Sequence, residues 1–548
     1  MRKQNFKKLV SVALCFAMVF SCNNNLFATG INITDNGTFL NKKQSDVKSD
    51  TEVKAVEELI DSIGTVEYTD ECLAKIEKAE NAYEKLNSEQ KLLVSNYGTL
   101  KAARTAYEAL AADNVNTSDL TVIDSGNIGN LKWAVYTNGL LEVEGDGAIP
   151  SYSTATAPWS NYVSSINAIL VRSSVTAIGE GAFNGCDNVT KVTLPFVGKS
   201  RTATDLEGTF GYIFGYEKEL ITNDSSTGTH TTTLYSSNIS DSKYSQKYTI
   251  GNDASYKSTK YVNGVSSLSY TKYWENPWYT CCDGSYNNAY NNAYHGQIQT
   301  YIFKVPEKLT TVTITDADKI ETAAFNNCKN ITKIVLNDGI TSIGDYAFQN
   351  SVIKDFVIPN TVITLGENSF YGCVGLTEIM LPNGITEVPK YAFYGCDRIS
   401  KVTLSRSTKA IGNYAFKDCS RFTKLVIPDK CESIGMGAFE NCSSITAINI
   451  LDSVTWISTY CFSGCSSAKE LSIGKKIEKL NNYVFQNCTG LTSIIVPKTV
   501  TDIQEFAFYG CDNVTEVTLP FVGKSRTATG LEGTFGYIFG YEKELITN

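Results

Sequence analysis

The sequence predicts a mainly β fold: a solenoid of about ten 23-residue coils, preceded by a small N-terminal α-helical bundle module. Three observations carry this prediction. The first is recurrence. The segment AFYGCDRISKVTL (392–404) returns as AFKDCSRFTKLVI, AFENCSSITAINI, CFSGCSSAKELSI, VFQNCTGLTSIIV and AFYGCDNVTEVTL. The second is a fixed period. Phe325, Phe348, Phe370, Phe393, Phe416, Phe439, Phe462, Phe485 and Phe508 follow one another at 23 residues, with one step of 22, as stacked repeats require. The third is alternation within each copy. Ile399, Val402 and Leu404 mark a strand with one buried face, and a proline often ends it, as Pro195, Pro382, Pro428, Pro497 and Pro520 do. One coil cannot bury its apolar side alone, whereas stacked coils share a continuous core.

The elements follow in order. Residues 1–28 read as an export signal: Arg2, Lys3, Lys7 and Lys8 precede the apolar run LVSVALCFAMVF, which is too short to span a membrane comfortably. Two processing readings stand side by side. One cuts after Ala28. The other treats VFSC as a lipobox with Cys22 lipidated; Ser21 favours it and Phe20 counts against it. A linker covers 29–49. Residues 50–112 carry apolar residues at helical spacing in EVKAVEELIDSIG, ECLAKIEKAENAYEKL and LKAARTAYEALAA, with Asp70 and Ser88 as expected N-caps. This is expected to be a spacer module, with a ligand-binding bundle as the alternative. Residues 118–175 form an expected β N-cap, because LKWAVYTNGLLEVEG alternates around Asn138-Gly139, a strong hairpin signal, and an end coil needs covering.

The first repeat is 176–195. An insertion, 196–308, then interrupts the period before the main run of repeats, 309–520. Within it, 223–302 is rich in Ser, Tyr, Asn and Thr and includes YWENPWYTCCDGSYNNAYNNAYHG. It reads either as a polar low-complexity loop or as a binding loop on a rigid scaffold, with Trp274, Trp278 and Tyr279 as anchors. The state of the adjacent Cys281 and Cys282 stays open. The last stretch, 508–548, duplicates 183–223 with three differences, at 184/509, 191/516 and 205/530. Residues 521–548 therefore read as the start of a second insertion, cut short. One coil departs from the pattern: AFQNSVIKDFVIP has Ser351 in the cysteine place and is one residue short.

Taken together, IGxxAFxxCxxLTxVxIP over 176–195 and 309–520 resembles the BspA-like leucine-rich repeats of bacterial surface proteins. The helical stretch is similar to spacer modules of such proteins, and the cap to the family's usual entry segment. The resemblance implies an extracellular binding role, often adhesion to host or neighbouring-cell surfaces, and names no ligand.

Cysteine usage fits a repeat core. Nine of the sixteen cysteines, from Cys186 and Cys328 to Cys511, take the same place in successive coils, and a ladder of small, half-apolar thiols packs well. Buried free thiols are expected over a disulfide framework. A metal site is not expected, since neither a CxxC pair nor a neighbouring histidine accompanies them. The net charge of −9 and pI near 5.1 argue against nucleic-acid binding. The two histidines, His230 and His295, lie in the insertion, and no HExxH, Walker loop or nucleophile elbow occurs. No enzyme, catalytic residue or cofactor is expected.

The register places one outward column at Val335, Val357, Met380, Thr403, Val426, Asn449, Ser472, Ile495 and Thr518. Beside it run Lys333, Asp355, Glu378, Lys401, Lys424, Ala447, Glu470, Ser493 and Glu516. Exposed Val335, Val357, Met380, Val426 and Ile495 suggest a contact surface; the alternative is that branched residues simply favour strands. Mixed charges suit an extracellular protein or glycoprotein ligand better than a polyanion. The expected function is non-catalytic, adhesin-like binding at the cell surface or in secreted form, with membrane association only through a Cys22 lipid anchor. Two alternatives remain: glycan binding through the insertion aromatics, and a stalk for a domain beyond residue 548.

Overall fold

In the computed structural model, residues 31–33, 39–41, 44–222, 246–248, 269–273 and 297–540 are described. The chain forms two compact units, 1–100 and 101–548. Helices α1 (Gln44–Asp61), α2 (Asp70–Glu84) and α3 (Ser88–Leu93) lie in the first, and α4 (Tyr97–Asp113) begins there and continues into the second. Val56, Ile60, Ile76, Ala79 and Tyr83 are buried at helical spacing. The N-caps sit one residue earlier than the sequence suggested. Thr69 Oγ1 accepts from Cys72 N–H, and Asn87 forms a reciprocal capping box with Gln90. Asp70 and Ser88 are the first helical residues because the preceding side chains satisfy the free N–H groups better.

The hairpin around Gly139 forms as expected, pairing Leu131–Tyr136 with Leu140–Glu144. Gly139 has φ +84, and a Cβ there would meet the Asn167 side chain at 2.3 Å. Strand Leu140–Glu144 pairs in parallel with Ala168–Val171, so the cap is the first turn of the solenoid. Strand Ala168–Val171 pairs with Lys191–Leu194, which pairs directly with Thr311–Ile314, and that with Lys333–Leu336. The insertion therefore leaves the sheet unbroken. The solenoid has about twelve turns, more than the repeats counted, because the cap winds as a turn and so does the first part of the insertion. Residues 196–215 place Phe210 and Phe214 in the core, with Phe210 stacked on Phe325 at 5.2 Å. The broken period concealed this turn.

The core is a ladder. Phe325, Phe348, Phe370, Phe393 and Phe416 are fully buried and stack at 5.1–5.5 Å, and the stack continues to Phe508. The thiols have a specific task. In the repeats from Cys373 onward the ladder thiol donates to the phenylalanine carbonyl of the preceding coil: Cys373 to Phe348 at 3.0 Å, Cys396 to Phe370 at 3.1 Å, and so on through Cys419, Cys442, Cys465 and Cys488 to Cys511 on Phe485 at 3.2 Å. A weak donor of the right volume thus partners a buried acceptor. All twelve cysteines among the described residues are free and buried. Burial pushes the Cys186 and Cys511 thiols up to about 12 and Cys431 to about 11, so these are inert thiols.

The short coil interrupts the sheet, as the coil at 422–428 also does. Residues 353–358 make no strand, and Asp355 has φ +45. One residue fewer must cover the same step, and the left-handed Asp355 interrupts strand pairing. Ser351 fills the cysteine place with its hydroxyl 3.4 Å from Cys373 Sγ.

Candidate functional site

The outward face of the sheet divides in two. Val335, expected to be exposed, is 4% exposed, and Thr193 and Thr313 in the same column are also buried. Val357 and Met380 are half-buried, and Val357 lies in the stretch without a strand. Thr403, Asn449, Ser472 and Thr518 are exposed, with Val426 at 60% and Ile495 at 63%. Trp274, Trp278, Tyr279, Cys22, and the Cys281-Cys282 pair lie outside the described residues.

The burial of Val335 has a physical cause within the second unit. Residues 101–113, the part of α4 belonging to that unit, are tied to the sheet at three points. Lys101 pairs with Glu378, Glu108 pairs with Lys333 at 3.1 Å, and the Asp113 and Val115 carbonyls accept from Arg172. Asp113 Oδ1 also accepts from Ser173 N–H at 3.2 Å. Anchored on these strands, the segment passes over the outward column between them. Ala102, Ala106 and Ala109, spaced on one stripe beside Lys101 and Glu108, are buried, and small side chains permit close approach.

Arg172 is the firmest of these anchors. Its Nε donates to the buried Glu142 carboxylate at 2.7 Å, and Tyr136 Oη donates to the same group at 2.6 Å. Burial, with the bond to Glu142, raises the Tyr136 pKa and keeps the phenol protonated. A charged cluster is thus partnered beneath the end of α4, where the guanidinium also donates to the carbonyl of the last helical residue, Asp113, and to that of Val115 just beyond it.

Two features escaped the sequence reading. The amphipathic pattern of LKAARTAYEALAA identified a helix but not the surface it would cover. A second, interrupted aromatic ladder occurs on the turn two residues before several of the core phenylalanines, with Ala323, Asn368 and Gly437 breaking it. Tyr391 stacks on Tyr414 at 5.2 Å and Tyr460 on Tyr483 at 4.9 Å. These tyrosines have φ near +57, a conformation rare for bulky residues that recurs with the repeat. The signal was present as Tyr two residues before Phe in KYAF, NYAF and NYVF.

The repeat geometry now decides the family, for the BspA type leucine-rich-repeat model matches residues 159–263, 296–422 and 409–525 in six copies, more than half the chain. The chain belongs to the BspA-type leucine-rich-repeat family. No curated protein matches this BspA-type chain. Among solved structures, it is similar to a leucine-rich repeat protein from Eubacterium ventriosum (16% identity, 77% of this chain and 96% of that one, TM-score 0.32). It is also similar to one from Bacteroides ovatus (17%, 72% and 88%, 0.32) and to a leucine rich cell surface protein from Faecalibacterium prausnitzii (16%, 77% and 99%, 0.29). Among the described residues no group of three or more His, Cys, Asp or Glu side chains is placed to hold a metal, and no helix is long and apolar enough to cross a membrane.

Proposed function

We propose that this BspA-type protein is an exported, surface-displayed binding protein that recognises an extracellular protein or glycoprotein through the uncovered part of its outward sheet face. The observation that carries this reading is the exposed row from Thr403 to Thr518, with Val426 and Ile495 among the most exposed large apolar residues. Branched apolar side chains held that far into solvent on a rigid scaffold suit a contact surface. The neighbouring Lys401, Lys424, Glu470 and Glu516 add both signs of charge at its rim, which supports protein recognition over binding of a polyanion. Export rests on the N-terminal basic and apolar pattern.

The test is binding of the purified protein to matrix proteins, mucins and whole cells, beside V426K/I495K and a form with 224–302 replaced by a Gly/Ser linker. Loss in V426K/I495K, with the thermal transition unchanged, is the expected outcome. Binding untouched by V426K/I495K but lost in the linker form would overturn the reading and move recognition to the insertion.

A further inference from the structure

One part of the outward face is already occupied, and its occupant is a helix. Lys101 and Glu108 are seven residues apart, an axial rise of about 10.5 Å. Their partners Glu378 and Lys333 lie two coils apart, about 9.6 Å at ordinary strand spacing. A helix running across the strands therefore meets every second coil with one heptad. The match requires an acid on the later coil to meet the helix lysine and a lysine on the earlier coil to meet the helix glutamate.

The same arrangement recurs further along. Lys424 and Glu470 occupy the outward positions of Lys333 and Glu378, are again two coils apart, and have the same order of sign. Both are exposed, and among the described residues neither has an ion-pair partner. Between and beside them are Val426, Asn449 and Ser472, all exposed.

We infer that the uncovered face is a docking site for an amphipathic α-helix of a partner, one with small residues on its contact stripe and a Lys at i and Glu at i+7 to meet Glu470 and Lys424. The inference rests on the proposed binding role and names the class of partner that role would serve. The face lies along the same outward side of the solenoid as the helix-covered strands, and its charges complement the helix already bound there. Helix-in-groove recognition reads such heptad anchors in the same way. Because a free helix of this length is marginal in water, the partner helix is one held in a folded domain or ordered on binding.

The probe is a fluorescent peptide of residues 97–113, stapled across positions 103 and 107, away from Lys101 and Glu108, so that it is helical when free. Anisotropy titration at low salt is expected to give saturable binding to the intact protein. K424E/E470K should weaken it at least tenfold. A peptide carrying K101E and E108K should then bind K424E/E470K at least tenfold better than it binds the wild type. Circular dichroism checks that K424E/E470K is folded. No saturable binding to the wild type, or binding indifferent to K424E/E470K, overturns the inference; the second result would place the peptide elsewhere, for instance in exchange with the resident helix. If the peptide fails while V426K/I495K still abolishes surface binding, the binding role stands and only the helical partner falls.

Discussion

The same stretch of sequence appears twice in this molecule in two settings. Residues 183–215 sit between coils, and 508–540 repeat them with another coil on one side only among the described residues. Within the segment and toward the residues before it the copies agree. Phe183 N–H donates to Ile213 O at 2.9 Å and Phe508 N–H to Ile538 O at 2.9 Å; Ile178 meets Lys199 as Ile503 meets Lys524, each at 2.7 Å. Tyr212 and Tyr537 are equally buried, as are Ile213 and Ile538. Toward the following coil they differ. Phe210 is fully buried against Phe325, with its N–H on Ala324 O, while its counterpart Phe535 is 49% exposed. Val197 is buried and Val522 is exposed. The segment's own sequence therefore dictates its local path and its docking to the coil before it. Burial of the other face is the neighbour's contribution, as expected where each repeat touches only its neighbours.

The largest expected effect is at this stacking position. Phe210→Ala removes a fully buried ring and should cost about 3–5 kcal/mol. Phe535→Ala removes a ring that already faces solvent and should cost under about 1 kcal/mol. Denaturant unfolding of the two variants measures this directly, and equal costs would break the comparison. At the thiols the copies should instead behave alike, because Cys186 and Cys511 both lie on the shared side. Each has its pKa raised from about 9 to about 12 by burial. Above pH 9 the unfolded chain has lost a proton that the folded chain keeps. Each thiol's contribution is thus whole below pH 9 and is lost as pH rises toward 12, by up to about 1.4 kcal/mol per pH unit. Stability of C186A and C511A against wild type between pH 9 and 11 isolates the two slopes. A clearly shallower slope for Cys511 would mean that the open face loosens the whole copy.

Backbone constraints internal to the segment give a smaller effect, again equal in the two settings. Gly198 has φ +72 and Gly523 φ +76, and an added Cβ would meet Glu207 O at 2.1 Å or Glu532 O at 2.2 Å. Left-handed strain alone is of order 1–3 kcal/mol for a non-glycine residue. Gly198→Ala and Gly523→Ala should each cost at least that, within about 1 kcal/mol of one another by thermal unfolding. Unequal costs would show that the neighbour also shapes the segment's path.

This contrast explains what could be read from the sequence. The coil, the Phe and Cys ladders and the Asn138-Gly139 hairpin were legible because each is fixed by local spacing that every copy repeats. The turn formed by 196–215 was not, because Phe210 and Phe214 reach the ladder from a segment whose period differs from 23 residues. The alternation at 333–336 correctly placed Val335 on the outward face. It could not show that Glu108, far away in sequence, would bring a helix over that face. The site is legible in its register and not in its accessibility, since accessibility depends on long-range docking. Even Val426, which is exposed as expected, lies in a stretch that keeps the alternation without forming a strand.

The smallest expected effect concerns one of the three differences between the copies. Asp205 in the first has φ +52, and Gly530 in the second has φ +59. Both positions are exposed, and a Cβ at Gly530 would meet nothing within 4 Å. Two terms oppose one another on exchange. Asp205→Gly relieves left-handed strain of about 1 kcal/mol, reduced for Asp because its short side chain bonds locally. It also frees the unfolded chain, at a cost of roughly 0.5–1 kcal/mol. The terms nearly cancel, so D205G and G530D should each change stability by less than about 0.5 kcal/mol. That near-neutrality follows from the shared φ and is independent of the neighbouring coil. A large loss in G530D with none in D205G would mean that the second copy holds this turn less firmly than the backbone angles indicate, and the comparison would then have to include the turn as well as the open face.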